Sequence, residues 1–197
     1  GLLRRQRQMC IRDSPYGGIV FGTYNEDPDK AKRKPIANLY RLAPNLSLTH
    51  LLSNITVSNG IAFSENENIM YFADTPTGRI QKFEYTKNFN KLYELETNMI
   101  FKNVGEPDGA TVDIDNNYWS ARVRGKCIIC IDTKDEKIIE KISLPTNTPT
   151  CVAFGGANLT SLYITSLRAD PTSDNEGGNL HRIETSTKGR VQLLTDI

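Results

Sequence analysis

Gly105-Glu106-Pro107-Asp108-Gly109 runs directly into Ala110-Thr111-Val112-Asp113-Ile114, so an acid stands between a proline and a glycine where a strand-like run begins. Proline fixes its own φ and biases the preceding residue towards extended backbone, whereas glycine permits a sharp turn or a close backbone approach. Taken alone, the same composition is typical of an ordinary turn, in which Asp is common. Whether Asp108 is a turn acid or a site carboxylate therefore depends on the pattern around it.

That pattern repeats. The run from Pro107 to Asp113 aligns with Ser58-Asn59-Gly60-Ile61-Ala62-Phe63-Ser64 and with Pro149-Thr150-Cys151-Val152-Ala153-Phe154-Gly155. A second set of aligned segments follows at 69–74, 117–122 and 161–166, and a third at 78–83, 125–130 and 178–183. From Asn59 to Asp108 is 49 positions and from Asp108 to Thr150 is 42, close to the ~40–50 residues of a four-stranded propeller blade. The sequence therefore predicts an all-β chain with a β-propeller fold.

The repeats divide the chain into four predicted units, at 17–57, 58–106, 107–148 and 149–197. The first unit has a segment of the third set, at 37–42, but no opening strand, which gives about three and a half blades. The last strand of the second unit is predicted at Met99–Lys102 and that of the fourth at Val191–Leu194. Since propellers have ~4–8 blades and pair the first with the last, this count indicates a piece of a longer protein, truncated at its N-terminus.

Residues 1–16 differ in amino-acid composition from the rest of the chain. They carry four arginines, begin without an initiator Met and contain no apolar core of signal-peptide length. We expect them to be a non-native or disordered leader, with a native basic tail as the alternative.

Composition excludes several classes of protein. Twenty-four basic and twenty-three acidic residues leave a net charge of +1, so no overall field attracts nucleic acid or an anionic membrane, and no apolar run reaches the ~18 residues of a membrane span. Four cysteines are too few and too irregular for a disulfide framework, which favours free thiols and a cytoplasmic location. Cys127 and Cys130 have the spacing of a metal or redox pair, but residues three apart on a strand point to opposite faces.

The repeat also predicts where function lies. The innermost strand of each propeller blade lines the central channel, and Asn59, Asp108 and Thr150 share one phase at the start of that strand. Three polar side chains from successive blades are therefore expected to converge near the axis, as a hard cation with oxygen ligands requires. The alternative is that these residues only cap their strands.

These segments resemble the SMP-30/gluconolactonase/regucalcin family, six-bladed propeller lactonases that hold one divalent metal on the channel axis. The resemblance covers roughly residues 18–191 and rests on 58–64 followed by Tyr71-Phe72-Ala73-Asp74-Thr75, on 107–109, and on 149–151 with 153–156. It implies that Asn59 is a metal ligand and that Asp108 is both a ligand and the general base. It also implies that Asp27, or Glu26 if the register slips by one, binds a substrate hydroxyl.

The implied function is metal-dependent hydrolysis of a sugar lactone, in which calcium, zinc, magnesium or manganese polarises the carbonyl and Asp108 helps to activate water. The chain departs from the family pattern because it lacks the first ligand glutamate and the Arg and Asn expected before Gly17, so the fragment alone is expected to be inactive. Arg122 stands where the family has a small or apolar residue, and it is predicted, with Thr150, to line the channel. The alternative is a non-catalytic calcium-binding or protein-docking propeller, and a phosphotriester-hydrolysing propeller is a third possibility.

Overall fold

A computed structural model of the protein describes residues 6–64, 66, 68–86, 89–168 and 172–191. These residues form four antiparallel sheets that follow one another along the sequence, with pairing orders β1-β2-β3-β4, β5-β6-β7-β8, β12-β11-β10-β9 and β13-β14-β15. The strands are β1 (Gln6–Asp13), β2 (Ile19–Asn25), β3 (Ala37–Leu42), β4 (Leu48–Ile55), β5 (Ser58–Ser64), β6 (Ile69–Asp74), β7 (Arg79–Tyr85), β8 (Leu92–Leu95), β9 (Glu106–Val112), β10 (Tyr118–Val123), β11 (Cys127–Asp132), β12 (Lys137–Ser143), β13 (Pro149–Gly155), β14 (Ser161–Ser166) and β15 (Leu180–Glu184). Successive meanders of this size are the blades of a β-propeller, so the predicted fold class is confirmed.

The first sheet differs from the prediction at its first strand. Gln6–Asp13, which were expected to belong to a disordered leader, form β1 and pair with β2 from Gln6 opposite Asn25 to Asp13 opposite Ile19. The segment is rich in Arg and Gln and so lacks most of the β-branched and aromatic side chains that mark a strand in the sequence. The first blade therefore has its opening strand.

Burial follows the position of each strand in its sheet. All six residues of β6 are buried, and five of the six in β10, because these strands are covered on both faces. The last strands are more exposed, since β4 exposes four of its eight residues and β12 five of its seven. This gradient is why the second strand of a blade reads as a nearly continuous apolar run, whereas the outer strands read as alternating and polar.

The second sheet ends differently from the prediction. Its last strand is β8 at Leu92–Leu95, and not the predicted Met99–Lys102, where Ile100 forms an isolated bridge with Arg79 and a short 3₁₀ turn begins at Lys102. The alternation of β8 is only four residues long, too short to stand out in the sequence. Of the predicted strand at 191–194, residues 192–194 lie outside the described part of the chain.

The described residues divide into two compact units, one within 6–77 and 81–96 and the other within 78–80 and 97–191. The core of the first unit includes the fully buried side chains of Val20, Leu39, Ile61, Met70 and Phe72.

The core of the second unit is built around Trp119, Ile128, Phe154 and Leu162. The Trp119 and Phe154 rings pack edge to face with centroids 5.6 Å apart. In the described ranges, no helix has the length and apolar character needed to cross a membrane.

Candidate functional site

The three residues predicted to share one phase lie in a β-bulge or directly beside one, on the first strands of their sheets. The pairing register slips between Asn59 and Ala62 on β5, across Asp108 and Gly109 on β9, and between Pro149 and Cys151 on β13, where Thr150 is the extra residue. A bulge leaves one residue out of the ladder and re-aims its side chain, and bulges are frequent next to active sites. The aligned positions therefore share a backbone irregularity as well as a sequence pattern.

Asp108 lies half-buried on β9. Burial raises the pKa of its carboxyl group to about 7, and the backbone hydrogen bond with Gly109 opposes this effect only in part. Desolvation disfavours the charged form of a carboxyl group, so a nearby cation would stabilise it strongly. A carboxyl group that titrates near neutral pH is suited both to proton transfer and to binding a cation.

Within the second unit, β9 and β13 approach so closely that only glycine fits at position 109. A Cβ atom on Gly109 would lie 2.6 Å from the Cys151 sulfur and 2.8 Å from the Thr150 carbonyl oxygen. The structure thus brings the Asp108-Gly109 bulge beside Thr150-Cys151. The Thr150 hydroxyl shares a hydrogen bond of 2.9 Å with the Thr165 hydroxyl.

Asn59 belongs to the first unit and is only 5% exposed. Its Nδ2 donates to Thr75 Oγ1 at 2.8 Å, which fixes the orientation of the amide. The oxygen is then the atom that Asn59 can offer a cation, because Nδ2 is a donor only.

The end of β2 meets the start of β5, also in the first unit. Tyr24 and Val57 form an antiparallel bridge, and Ser58 Oγ donates to the Thr23 carbonyl at 2.8 Å. This contact brings the segment that leads into Glu26 and Asp27 to the strand that carries Asn59.

Glu26 and Asp27 are both half-buried, in a loop whose backbone is well tied. Asp27 Oδ1 accepts a hydrogen bond from the Asp29 N–H at 3.0 Å, and Arg33 Nε donates to the Asp27 carbonyl at 2.9 Å. The buried Asn25, which the sequence reasoning missed, accepts from the Asp27 N–H at 3.0 Å and donates to the Lys34 carbonyl at 3.0 Å. The signal that could have revealed Asn25 is a polar residue ending an apolar strand, directly before the two acids.

Arg122, on β10, is completely buried. Its Nη2 donates to the carbonyl oxygens of Phe101 at 2.9 Å and Gly105 at 2.6 Å. Burial lowers the pKa of Arg122 to about 10, and Nε and Nη1 have no hydrogen-bond partner in the described part of the chain. The predicted channel-lining guanidinium thus lies against the backbone that leads into β9 and towards Asp108.

The predicted metal ligands fit a hard cation by their chemistry. An amide oxygen and a carboxylate are the ligand types that calcium and magnesium prefer, and burial of Asp108 makes compensation of its charge favourable. Asn59 and Asp108 belong to different units, so each is described within its own. Among the described residues, no group of three or more His, Cys, Asp and Glu side chains could hold one metal ion.

Cys127 and Cys130 lie on β11 with both thiols free and buried. Burial raises the pKa of both. This keeps them protonated, whereas the thiolate is the form that binds metals and attacks as a nucleophile.

Comparison with known proteins gives a family match over most of the chain. Residues 11–168 match the family described as SMP-30/Gluconolactonase/LRE-like region. An uncharacterized protein of Sulfolobus acidocaldarius is 31% identical over 174 residues, which cover 88% of this chain and 60% of that protein. Pentonolactonase XacC of Haloferax volcanii is 27% identical over 193 residues, covering 93% of this chain and 64% of the enzyme.

Among solved structures, the calcium-binding protein regucalcin of Agrobacterium tumefaciens superposes with a TM-score of 0.87 at 25% identity, over 99% of this chain and 66% of that one. This chain therefore spans less than two thirds of the length of the curated relatives that it matches.

Proposed function

Because the chain belongs to the SMP-30/gluconolactonase/LRE-like family, we propose that the protein hydrolyses sugar lactones with the help of one divalent cation, calcium, zinc, magnesium or manganese. The observation that carries the proposal is the place of Asp108, a carboxyl group with its pKa raised to about 7 by burial, at the bulge of a first strand. The similarity to a pentonolactonase supports the substrate class.

In this proposal Asp108 is the catalytic residue. Its pKa is near 7 in the cation-free chain, and a bound cation would lower it and favour the carboxylate. The carboxylate is the form that can take a proton from the attacking water and return it to the leaving oxygen. Partial burial on β9 is the cause of the raised pKa, and it leaves the carboxyl group accessible to the attacking water.

The other predicted residues bind the cation and orient the substrate. The Asn59 amide oxygen and the Asp108 carboxylate would hold the cation, which when bound polarises the lactone carbonyl and brings the pKa of water from ~15.7 towards ~7. Asp27, or Glu26, accepts a hydrogen bond from a substrate hydroxyl, and the ties of Asn25 and Arg33 to Asp27 limit the freedom of that loop. Thr150 neighbours the Asp108 bulge and is proposed to line the channel.

The activity is proposed for the whole protein, since this chain spans 60–64% of the two relatives described above. We propose that the 197-residue chain hydrolyses lactones at no more than the background rate. The whole protein is therefore the sample for kinetics, and the 197-residue chain is measured beside it.

Calcium binding without catalysis is the second candidate function. The similarity to a structure described as the calcium-binding protein regucalcin favours it. The same oxygen ligands would serve, because a structural calcium site needs only carboxylates and carbonyls and no general base.

Lactone hydrolysis by the whole protein separates the two candidates. Asp108→Asn is expected to lower kcat by a factor on the order of 10²–10⁴, the usual contribution of a general base, and a chelator should abolish the remaining activity. Asp115→Asn is the matched control, since Asp115 is an exposed acid in the turn that follows β9. Calcium binding by calorimetry with no chelator-sensitive turnover of lactones would favour the second candidate, and turnover of phosphotriesters alone would exclude both.

A further inference from the structure

A polar pocket of about 350 Å³ opens in the first unit, beside the hairpin that joins β3 to β4. Its walls include Tyr16, Arg41, Asn45, Thr49 and Asn90. Pockets that bind small molecules usually measure ~300–1,000 Å³, so the size suits one small ligand. None of the residues assigned to the candidate site lines it.

Arg41 brings a buried positive charge to this pocket. Its side chain is on β3 and is only 5% exposed. Nη2 donates to the Gly17 carbonyl at 2.9 Å and Nε to Ser14 Oγ at 3.4 Å. These acceptors are neutral, and in the described ranges no carboxylate forms an ion pair with Arg41. Nη1 is the nitrogen that remains for a ligand. It is not one of the buried polar atoms without a partner, so it is not sealed inside the protein.

Two asparagines add donors at the walls of the pocket. Asn45 Oδ1 accepts hydrogen bonds from the Ser47 N–H at 3.0 Å and the Ser47 hydroxyl at 2.7 Å. Asn90 Oδ1 accepts from the Thr86 hydroxyl at 2.7 Å. Because both amide oxygens are engaged, the Nδ2 groups are what these side chains can offer a ligand.

The balance of charge decides the class of ligand. The pocket is lined by one guanidinium and two amides that present N–H donors, and neither Asp nor Glu lines it. Donors around an uncompensated cation bind oxyanions, since charge-assisted hydrogen bonds are stronger than neutral ones. The volume exceeds what a single phosphate or carboxylate group fills. We propose that this pocket binds a small organic molecule through an oxyanion group, either phosphate or carboxylate.

The proposed oxyanion site is separate from the candidate site in the first unit. Tyr16 lies before β2, whereas Glu26 and Asp27 follow its last residue, Asn25. A strand rises ~3.3 Å per residue, so the seven residues of β2 place the two sites roughly 20 Å apart. The proposal therefore holds whether or not the protein hydrolyses lactones.

Calorimetry on the full 197-residue chain tests the proposal with four probes, which are inorganic phosphate, glucose 6-phosphate, gluconate and glucose. We expect saturable binding of at least one oxyanion-bearing sugar and none of glucose. Binding of glucose 6-phosphate and inorganic phosphate alone assigns a phosphate group, and binding of gluconate alone assigns a carboxylate.

Asn45→Asp is the decisive variant, because it keeps the shape and the oxygen that accepts from Ser47 but replaces the Nδ2 donor with a negative oxygen. We expect about a tenfold or greater loss of affinity, the usual effect of removing a charge-assisted hydrogen bond. Asn38→Asp is the control, since Asn38 lies on β3, the strand of Arg41, contacts His50 and does not line the pocket. The substitution therefore adds the same charge outside the pocket.

Arg41→Gln should also lose binding, with folding checked by circular dichroism. Absence of saturable oxyanion binding in the wild type would overturn the proposal. An equal loss of affinity in Asn38→Asp and Asn45→Asp would also overturn the proposal. It would show that the loss comes from the change in net charge and not from the pocket.

Discussion

The position of Asp108 on β9 is the cause of its raised pKa. Burial is the larger influence, and the one opposing influence is the hydrogen bond with Gly109. Burial as the main cause of a raised pKa contrasts with paired acids, which repel each other's charge. The protonation state of Asp108 should therefore respond to how the residue is packed and to whether a cation is bound.

The stability of the cation-free chain should fall as the pH rises, because of Asp108. Its pKa is about 7 in the folded chain and ~3.9 when unfolded, so between these values the folded state holds the extra proton. The free energy of unfolding then falls with rising pH, by up to about 1.4 kcal/mol per pH unit. Urea unfolding with a chelator between about pH 4.5 and 7.5 measures this slope.

Asp108→Asn should remove this contribution to the slope, whereas the exposed Asp115→Asn should leave it intact. Equal slopes in the wild type and Asp108→Asn would contradict the raised pKa. Added calcium should flatten the wild-type profile, because a bound cation favours the carboxylate.

At the scale of the strand, position 109 sets how closely β9 and β13 pack. Gly109→Ala would place a Cβ atom 2.6 Å from the Cys151 sulfur and 2.8 Å from its Cβ, so the strands must separate or the sulfur must move. We expect a loss of about 1–3 kcal/mol in the free energy of unfolding, as for other overpacked sites. Chemical denaturation measures it.

Cys151→Ala in the Gly109→Ala background gives the control for this clash. It removes the sulfur but not the contacts with the Cys151 Cβ and the Thr150 carbonyl, so it should restore only part of the stability. A double-mutant cycle with no coupling between the two positions would show that the cost has another origin.

Strands that carry a strong apolar pattern could be predicted from the sequence, and the others could not. β3 has the bounds of the segment at 37–42, and β7, β10 and β11 each begin within two residues of the aligned segments at 78–83, 117–122 and 125–130. The apolar residues of these strands are bounded by turn residues on both sides. β1 and β8 were missed, since one is rich in Arg and Gln and the other has four residues. β8, the last strand of its sheet, needs few apolar residues, because its neighbour supplies the hydrogen bonds.

For the candidate site, the sequence predicted which positions are equivalent but not the contacts that these residues make in the fold. The repeat identified Asn59, Asp108 and Thr150 as equivalent positions, and each lies in a bulge or directly beside one. The close approach of Gly109 to Cys151 joins β9 to β13, some 40 residues further along the chain, and pattern reasoning cannot supply that contact. Arg122 and Asn25 donate hydrogen bonds to backbone carbonyls of other segments, and the sequence pattern does not identify those acceptors.

Across the whole molecule, each first strand from β5 onward is preceded by a backbone segment that a buried charged side chain holds. Asp74 accepts hydrogen bonds from the Thr56 and Val57 N–H groups at 3.0 and 2.8 Å. Asp174 accepts from the Asn147 N–H at 2.9 Å and from the Thr146 hydroxyl at 3.0 Å. Before β9 the polarity is reversed, since Arg122 donates to carbonyl groups. The fold thus requires a tie, a buried side chain that hydrogen-bonds to the backbone before these first strands, and that side chain can be acidic or basic.

These ties should be local in their effect. Asp74→Ala leaves two backbone N–H groups without their acceptor, and charged hydrogen bonds contribute ~1.5–3 kcal/mol each, so we expect a loss of about 3 kcal/mol in the free energy of unfolding. Hydrogen exchange should accelerate first at Thr56 and Val57 in Asp74→Ala, at Asn147 in Asp174→Ala, and at Gly105, Glu106 and Asp108 in Arg122→Met. Asp29→Ala is the control, because Asp29 caps an exposed 3₁₀ turn and should cost less than about 1 kcal/mol. Faster exchange spread evenly over all four sheets in every variant would contradict the view that each tie secures its own strand.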